Sequence, residues 1–289
     1  MNTSALEVAY ADSGPENGLP VVLLHGFPYD IHAYDAAAHD LAQAGCRVIV
    51  PFLRGFGPTR FLAPATPRSG EQAALGRDLL DLIDALRLDR PIVVGYDWGG
   101  RAACVVSALW PEKVGGLVSV CGYNVFANYD PSVILAPEWE HLLWYQYYLH
   151  RDGAHERFGA TRTAFCRYLW KIWSPTWNFD EETFLATAPS FENPDFVDVV
   201  IHSYRHRFGL VPGDPALTEI DRRAAMRPPI AVPTIVLHGD ADSAPLATSL
   251  DASRFSGPYL RKIIRGAGHN LPQEAPDAIV EAVLSLVEY

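Results

Sequence analysis

The run Gly95-Tyr96-Asp97-Trp98-Gly99-Gly100 constrains the fold of this chain more than any other segment. It follows a short apolar, β-branched stretch at 91–94 and leads into a helical pattern over 101–109, so a buried strand must turn directly into a helix. Where strand and helix backbones come that close, the residues flanking the turn have to be small, and Gly95 and Gly99 stand on either side of Asp97. Strand, sharp turn and helix together make the repeating unit of a parallel α/β sheet, with the turn at the carboxyl edge where such sheets bind ligands. The competing reading of the same spacing is an ordinary helix start capped by Asp97.

The rest of the chain repeats that unit. Apolar runs at 21–24, 47–50, 117–120, 234–237 and 260–264 each read as a strand of a buried sheet. The clearest helix between them carries Leu75, Leu79, Leu82, Ile83 and Leu86 on one stripe, with Asp78, Asp81 and Asp84 on the wet side. The alternation stops after residue 125. From there to Arg222 the chain is rich in Trp, Tyr, His and Arg, in helical stretches divided by Pro175, Pro189, Pro194 and Pro212. The expected organisation is an α/β core built from 1–125 and 223–289, with a helical cap at 126–222 lying over the carboxyl ends of the strands. A chain of 289 residues, nearly half of them apolar, can bury both.

Charge and cysteine usage narrow the partners. With 23 Lys and Arg against 34 Asp and Glu, the net charge of −11 repels phosphate backbones and anionic bilayers, which argues against nucleic acid and membrane surfaces. Residues 1–12 have neither the basic start nor the apolar run of a signal peptide, and no apolar stretch nears the roughly 18 residues of a membrane span. A cytoplasmic location is the expectation. Cys46, Cys104, Cys121 and Cys166 are widely separated, which suggests reduced core residues and no zinc or disulfide framework.

Asp at the tight turn decides the chemistry. A carboxylate forms no useful acyl intermediate from an ester, but it can displace a leaving group at saturated carbon and become an alkyl ester. Water must then hydrolyse that ester, which needs a general base and a site for the oxyanion. The base candidate is His269, in Arg265-Gly266-Ala267-Gly268-His269-Asn270, a glycine-bearing loop after the last strand. Its orienting carboxylate is sought in His238-Gly239-Asp240-Ala241-Asp242, where Asp242 is preferred and Asp240 is expected to shape the turn. His25-Gly26-Phe27-Pro28 follows the first strong strand, so the backbone N–H of Phe27 can join that of Trp98 as the oxyanion donors. The order Asp97, Asp242, His269 is nucleophile, acid, base.

These motifs resemble the α/β-hydrolase superfamily over nearly the whole chain, in its branch with an Asp nucleophile, which contains epoxide hydrolases, haloalkane dehalogenases and haloacetate dehalogenases. His-Gly-Phe-Pro at 25–28 and Gly-x-Asp-Trp-Gly-Gly at 95–100 are similar to the epoxide hydrolase versions. Arg54-Gly55-Phe56-Gly57 resembles the loop after the next strand, although Phe52 stands where an Asp is usual and Pro58-Thr59 replaces the familiar ending. The resemblance implies an α/β-hydrolase fold, a mainly parallel sheet flanked by helices with an inserted helical cap. It also implies two ring-opening tyrosines, Tyr145 within Trp144-Tyr145-Gln146-Tyr147-Tyr148 and Tyr204 within His202-Ser203-Tyr204-Arg205, with Tyr148 the substitute for the first.

The implied reaction converts an epoxide to a vicinal diol through an ester on Asp97, with no metal or organic cofactor and a small apolar, aryl-bearing substrate. A homodimer is left open. The rival is a dehalogenase using the same Asp, for which Trp98 and one of Trp144, Trp170, Trp173 or Trp177 would hold the halide. Haloacetate dehalogenases resemble the chain at Arg101 but carry an arginine where Trp98 stands. A non-catalytic binding protein of the same fold generally lacks part of the triad, whereas all the expected groups are present here. Arg101 is expected to be tied to a neighbouring carboxylate or carbonyl, and the His and Arg residues of 150–167 and 202–207 to form solvated cap faces.

Overall fold

The computed structural model describes residues 1–127, 130, 132–133, 135–244 and 252–287. In chain order the strands are β1 (Leu6–Glu7), β2 (Tyr10–Ser13), β3 (Leu19–Leu24), β4 (Cys46–Pro51), β5 (Arg60–Phe61), β6 (Ile92–Gly95), β7 (Gly116–Val120), β8 (Thr234–Gly239) and β9 (Tyr259–Ile264). The helices are α1 (Asp35–Gln43), α2 (Gln72–Ala85), α3 (Asp97–Leu109), α4 (Pro137–Leu142), α5 (Trp144–His150), α6 (Ala154–Trp173), α7 (Glu181–Thr187), α8 (Phe196–Arg207), α9 (Thr218–Ala225), α10 (Leu271–Glu274) and α11 (Pro276–Leu286).

All six apolar runs are strands of one seven-stranded sheet, ordered β2-β4-β3-β6-β7-β8-β9. Every pairing from β4 across to β9 is parallel, and only the edge strand β2 runs antiparallel, against β4. Val21, Val22, Val93, Val94, Leu117 and Val118 are fully buried, as a parallel sheet covered on both faces requires. Helices α1 and α11 pack together on one face, and α2, α3 and α9 on the other. The reading of the sequence missed β1, β2 and β5, because each is short and partly exposed and so lacks a continuous apolar run.

Between β7 and β8 the described chain is helical and contributes no strand to the sheet. Helices α5, α6 and α8 pack on one another, and specific hydrogen bonds tie the region to the loops at the carboxyl edge. The Trp170 indole N–H donates to the carbonyl of Pro28 at 2.8 Å. Asp30 accepts from the Thr187 and Ser190 hydroxyls at 2.9 and 2.6 Å. Asn193 donates to the carbonyls of Gly57 and Thr59.

The polar stretches divide differently from the expectation. Over 150–167, Arg162 pairs with Glu192, Arg167 with Glu181 and His155 with Asp198, at a solvated surface. Over 202–207 the His and Arg side chains are half-buried and partly engaged with the protein. His202 accepts from the Gly70 N–H at 3.1 Å and meets the Pro212 carbonyl, while Arg205 donates to the carbonyls of Leu149, His150 and Arg151 that end α5. Helix α8 is packed against the core on this side, so its polar residues serve as connectors. All four cysteines are buried and carry thiols, none of them in a disulfide. No helix among the described residues is long and apolar enough to cross a membrane.

Candidate active site

The turn from β6 into α3 has the strain its sequence demands. Asp97 adopts φ 48°, a left-handed conformation unfavourable for a residue with a side chain, and it lifts the carboxylate off the end of the sheet. A Cβ on Gly95 would stand 2.3 Å from the Gly99 carbonyl oxygen, and one on Gly99 would stand 2.0 Å from that of Leu24. Neither contact is tolerable, so glycine is obligatory at both positions. Gly26 is fixed for another reason: its Cβ would lie 2.6 Å from that of Asp97.

The two carboxylate oxygens of Asp97 have different surroundings. Oδ1 accepts the Phe27 backbone N–H at 2.8 Å. Oδ2 accepts no hydrogen bond from the described residues and faces His269 Nε2 and Arg101 Nη2, each at 3.9 Å. The Trp98 N–H, the other expected donor, sits in the first turn of α3 and makes no hydrogen bond to the ground-state carboxylate. One oxygen is therefore anchored and the other is free to react. His25, just before Phe27, is a framework residue: it accepts the Leu53 N–H through Nε2 and meets the Gly26 carbonyl through Nδ1. Complete burial pushes its pKa down to about 4, which keeps it neutral.

The loops after β8 and β9 bring His269 to Oδ2. His269 Nδ1 lies 3.2 Å from Asp242 Oδ2, which fixes the ring so that Nε2 points at Asp97. Asp242 also accepts from the Cys121 thiol at 3.1 Å and the Ala244 N–H at 2.8 Å. Asp240 accepts the Gly266 N–H at 2.6 Å and so joins the two loops. Burial alone would lower the His269 pKa, but the bonded Asp242, followed by Asp97 and Glu274, raises it above the ordinary imidazole value. For Asp242, burial works against the charged form, and His269 outweighs it and holds the carboxyl below its ordinary range. The Trp173 carbonyl at the end of α6 accepts from both the His269 and Ser243 backbone N–H groups, locking the two loops to the helices above them.

Tyr145 and Tyr204 reach the neighbourhood of Asp97 from α5 and α8. Their rings meet edge to face at 5.3 Å, and Tyr204 also contacts Phe27 and Trp98. Both phenols feel the negative charge of Asp97 and the positive charge of Arg101. The Tyr145 hydroxyl accepts from Gln146 at 2.7 Å, leaving its proton free to be donated elsewhere. The Tyr204 hydroxyl is buried without a hydrogen bond, as is the Trp98 indole N–H, whose nearness to it falls short of bonding geometry. Tyr148 instead packs on Phe165, away from this group.

Among further neighbours of the site, Trp173 is one of four cap tryptophans that the sequence singles out as a possible halide donor, whereas Tyr29 has no sequence signal of its own. Trp173 stands edge-on to both His269 and Tyr145, at 5.0 and 5.1 Å. Tyr29 stacks on Trp170, leans on His269 and buries an unpartnered hydroxyl. Cys121 occupies a left-handed position just past β7, a strand end that could have drawn attention. Arg101 has the expected neighbouring carboxylate in Asp97, whose Oδ2 lies 3.9 Å from Nη2, and it donates no hydrogen bond to the described residues. Among the described residues no three His, Cys, Asp or Glu side chains group as metal ligands would.

The profile of the alpha/beta hydrolase fold family matches residues 20–276. Epoxide hydrolase A of Mycobacterium tuberculosis is 25% identical, across 99% of this chain and 96% of its own. Human epoxide hydrolase 4 is 24% identical, across 99% of this chain and 76% of its own. A crystal structure from Klebsiella pneumoniae, provisionally assigned as an epoxide hydrolase, superposes with a TM-score of 0.96 at 41% identity, covering 100% of this chain and 96% of that one.

Proposed function

This chain belongs to the alpha/beta hydrolase fold family, as an epoxide hydrolase-like enzyme, and from that premise we propose that it opens epoxides to vicinal diols through an ester on Asp97. The observation that carries the reading is the division of labour at Asp97: Oδ1 is held by the Phe27 N–H, while Oδ2 is unbonded and faces the base, with two phenols above.

In the proposed sequence Oδ2 attacks one oxirane carbon and the carbon–oxygen bond on the far side breaks. The departing alkoxide takes a proton from Tyr204, with Tyr145 donating a hydrogen bond to the same oxygen. Oδ1 is now the ester carbonyl oxygen and already has its Phe27 donor. His269, oriented by Asp242, removes a proton from water, which adds to the ester carbon, and the negative charge on Oδ1 falls to the Phe27 and Trp98 N–H groups. Collapse of the intermediate releases the diol, and the proton on His269 passes by way of solvent to restore the tyrosine. Residues 126–222 act as the cap, supplying the tyrosines and screening the ester from bulk water.

Removing the base should strand the enzyme at the ester. His269→Gln, mixed with styrene oxide, is expected to gain the whole mass of the epoxide, located on Asp97 by peptide mapping. Asp97→Asn should gain nothing and lose turnover on the order of 10⁴-fold. An adduct from a bromoalkane but none from an epoxide would transfer the enzyme to the dehalogenases.

A further inference from the structure

A cavity of about 210 Å³ shares Arg101 with the site around Asp97, and its lining contrasts with the aromatic wall around Tyr145. Arg101 enters it from the start of the second turn of α3, and Arg207 from the last residue of α8. Both guanidinium groups lie over the ring of Phe126, at 4.9 and 4.1 Å from its centroid. Neither donates a hydrogen bond to any described residue. Asp97 Oδ2, at 3.9 Å, is the one described carboxylate oxygen in ion-pair range of Arg101, and Arg207 has none.

A buried arginine and a half-buried one sharing one aromatic face without acceptors among the described residues is a costly arrangement, because each carries five N–H donors and a charge at least partly removed from water. The cost shows in Arg207, whose pKa is pulled down to about 10 by burial and by the like charge of Arg101. Two acidic residues line the same cavity without relieving it. Glu71 accepts the Asp214 N–H at 2.8 Å and turns its other oxygen toward His202, and Asp221 pairs with neither arginine. Arg207 also gains from the carboxyl end of α8, but the helix dipole explains neither the convergence on Phe126 nor the unused donors.

We infer that this cavity receives the anionic end of the substrate, a carboxylate bridging Arg101 and Arg207 while the oxirane carbon faces Asp97 Oδ2. The inference rests on the epoxide-opening reading and replaces the wholly apolar substrate expected from the sequence. Because Arg101 reaches within 3.9 Å of the reacting oxygen, the carboxylate belongs close to the oxirane, as in a 2,3-epoxy acid. A long spacer would carry the oxirane past the nucleophile. The product is then a dihydroxy acid.

The test compares 3-phenylglycidate with its uncharged amide in the wild type, Arg207→Gln and Arg207→Lys, alongside calorimetric binding of cinnamate, a carboxylate with no oxirane. The wild type should favour the acid over the amide by roughly tenfold or more in kcat/KM, since a bridging carboxylate gains charge-assisted hydrogen bonds on both sides. Arg207→Gln should reduce that ratio to near one and weaken cinnamate to a similar degree, and Arg207→Lys should keep part of both. Taking the ratio within each variant cancels any general loss of activity. Equal use of acid and amide by the wild type, or an undiminished preference in Arg207→Gln, overturns the anion site while leaving styrene oxide opening intact. Arg207-dependent cinnamate binding in an enzyme that opens no epoxide would leave the anion site standing and defeat the reaction assigned above.

Discussion

At the scale of single residues, the chemistry rests on small asymmetries of environment. In the proposed reaction His269 acts as a base only when neutral, and against the effect of burial its pKa is raised in the free enzyme chiefly by Asp242 and then by Asp97 and Glu274. The sign follows: ester hydrolysis is full above that raised value and falls about tenfold per pH unit below it, so the ester accumulates in acid. Forming the ester also removes the charge of Asp97, one of the groups holding the pKa up. The acid limb of hydrolysis, followed by rapid quench, should therefore lie at lower pH than the His269 titration of the free enzyme followed by NMR. Coincident values would mean that Asp97 does not contribute. Asp242, Asp240 and His269 were all legible in the sequence, because a loop after a strand offers few choices of residue. Arg207 was not, since a helical arginine reads as solvated until its neighbours are known.

At the scale of elements, the β6–α3 turn governs how rigidly Asp97, the proposed nucleophile, is held. Gly99→Ala would drive a Cβ to 2.0 Å from the Leu24 carbonyl oxygen, on backbone that β3 cannot move without breaking its pairing with β6. We expect a loss of about 3 kcal/mol or more in chemical denaturation, in the range of severe overpacking. Gly26→Ala meets the side chain of Asp97 itself, and it should depress the rate of ester formation more than stability. Comparable effects of both substitutions on both readouts would mean that the turn yields as a unit. The sheet was legible because buried parallel strands are written as continuous apolar runs, whereas β1, β2 and β5 have no such run. The choice of Tyr145 over Tyr148 beside Tyr204 depended on how α5 is rotated against α6 and α8, which three tyrosines within four residues leave open.

At the scale of the whole molecule, the region between β7 and β8 is held at a few polar points that also frame the site. Asp30 is buried, and burial raises its pKa although the Ser190 and Thr187 hydroxyls and the His32 N–H all favour the charged form. Asp30→Ala would leave two hydroxyls without an acceptor, and should cost about 3 kcal/mol and open the helices over the active site. Hydrogen exchange in α7 and α8 would report the opening, and unchanged exchange would show that the apolar contacts suffice. The sequence by itself determined the α/β core, the strained Asp97 turn, the candidate triad and its order, because each depends on local spacing and on strand ends that the chain must expose. Only the tertiary structure decided which tyrosine stands beside Tyr204, that Trp173 binds the two triad loops to the helices, and that Arg101 and Arg207 share Phe126. Those relations join residues far apart in the chain, and their geometry follows from how helices pack over the sheet, which no local periodicity encodes.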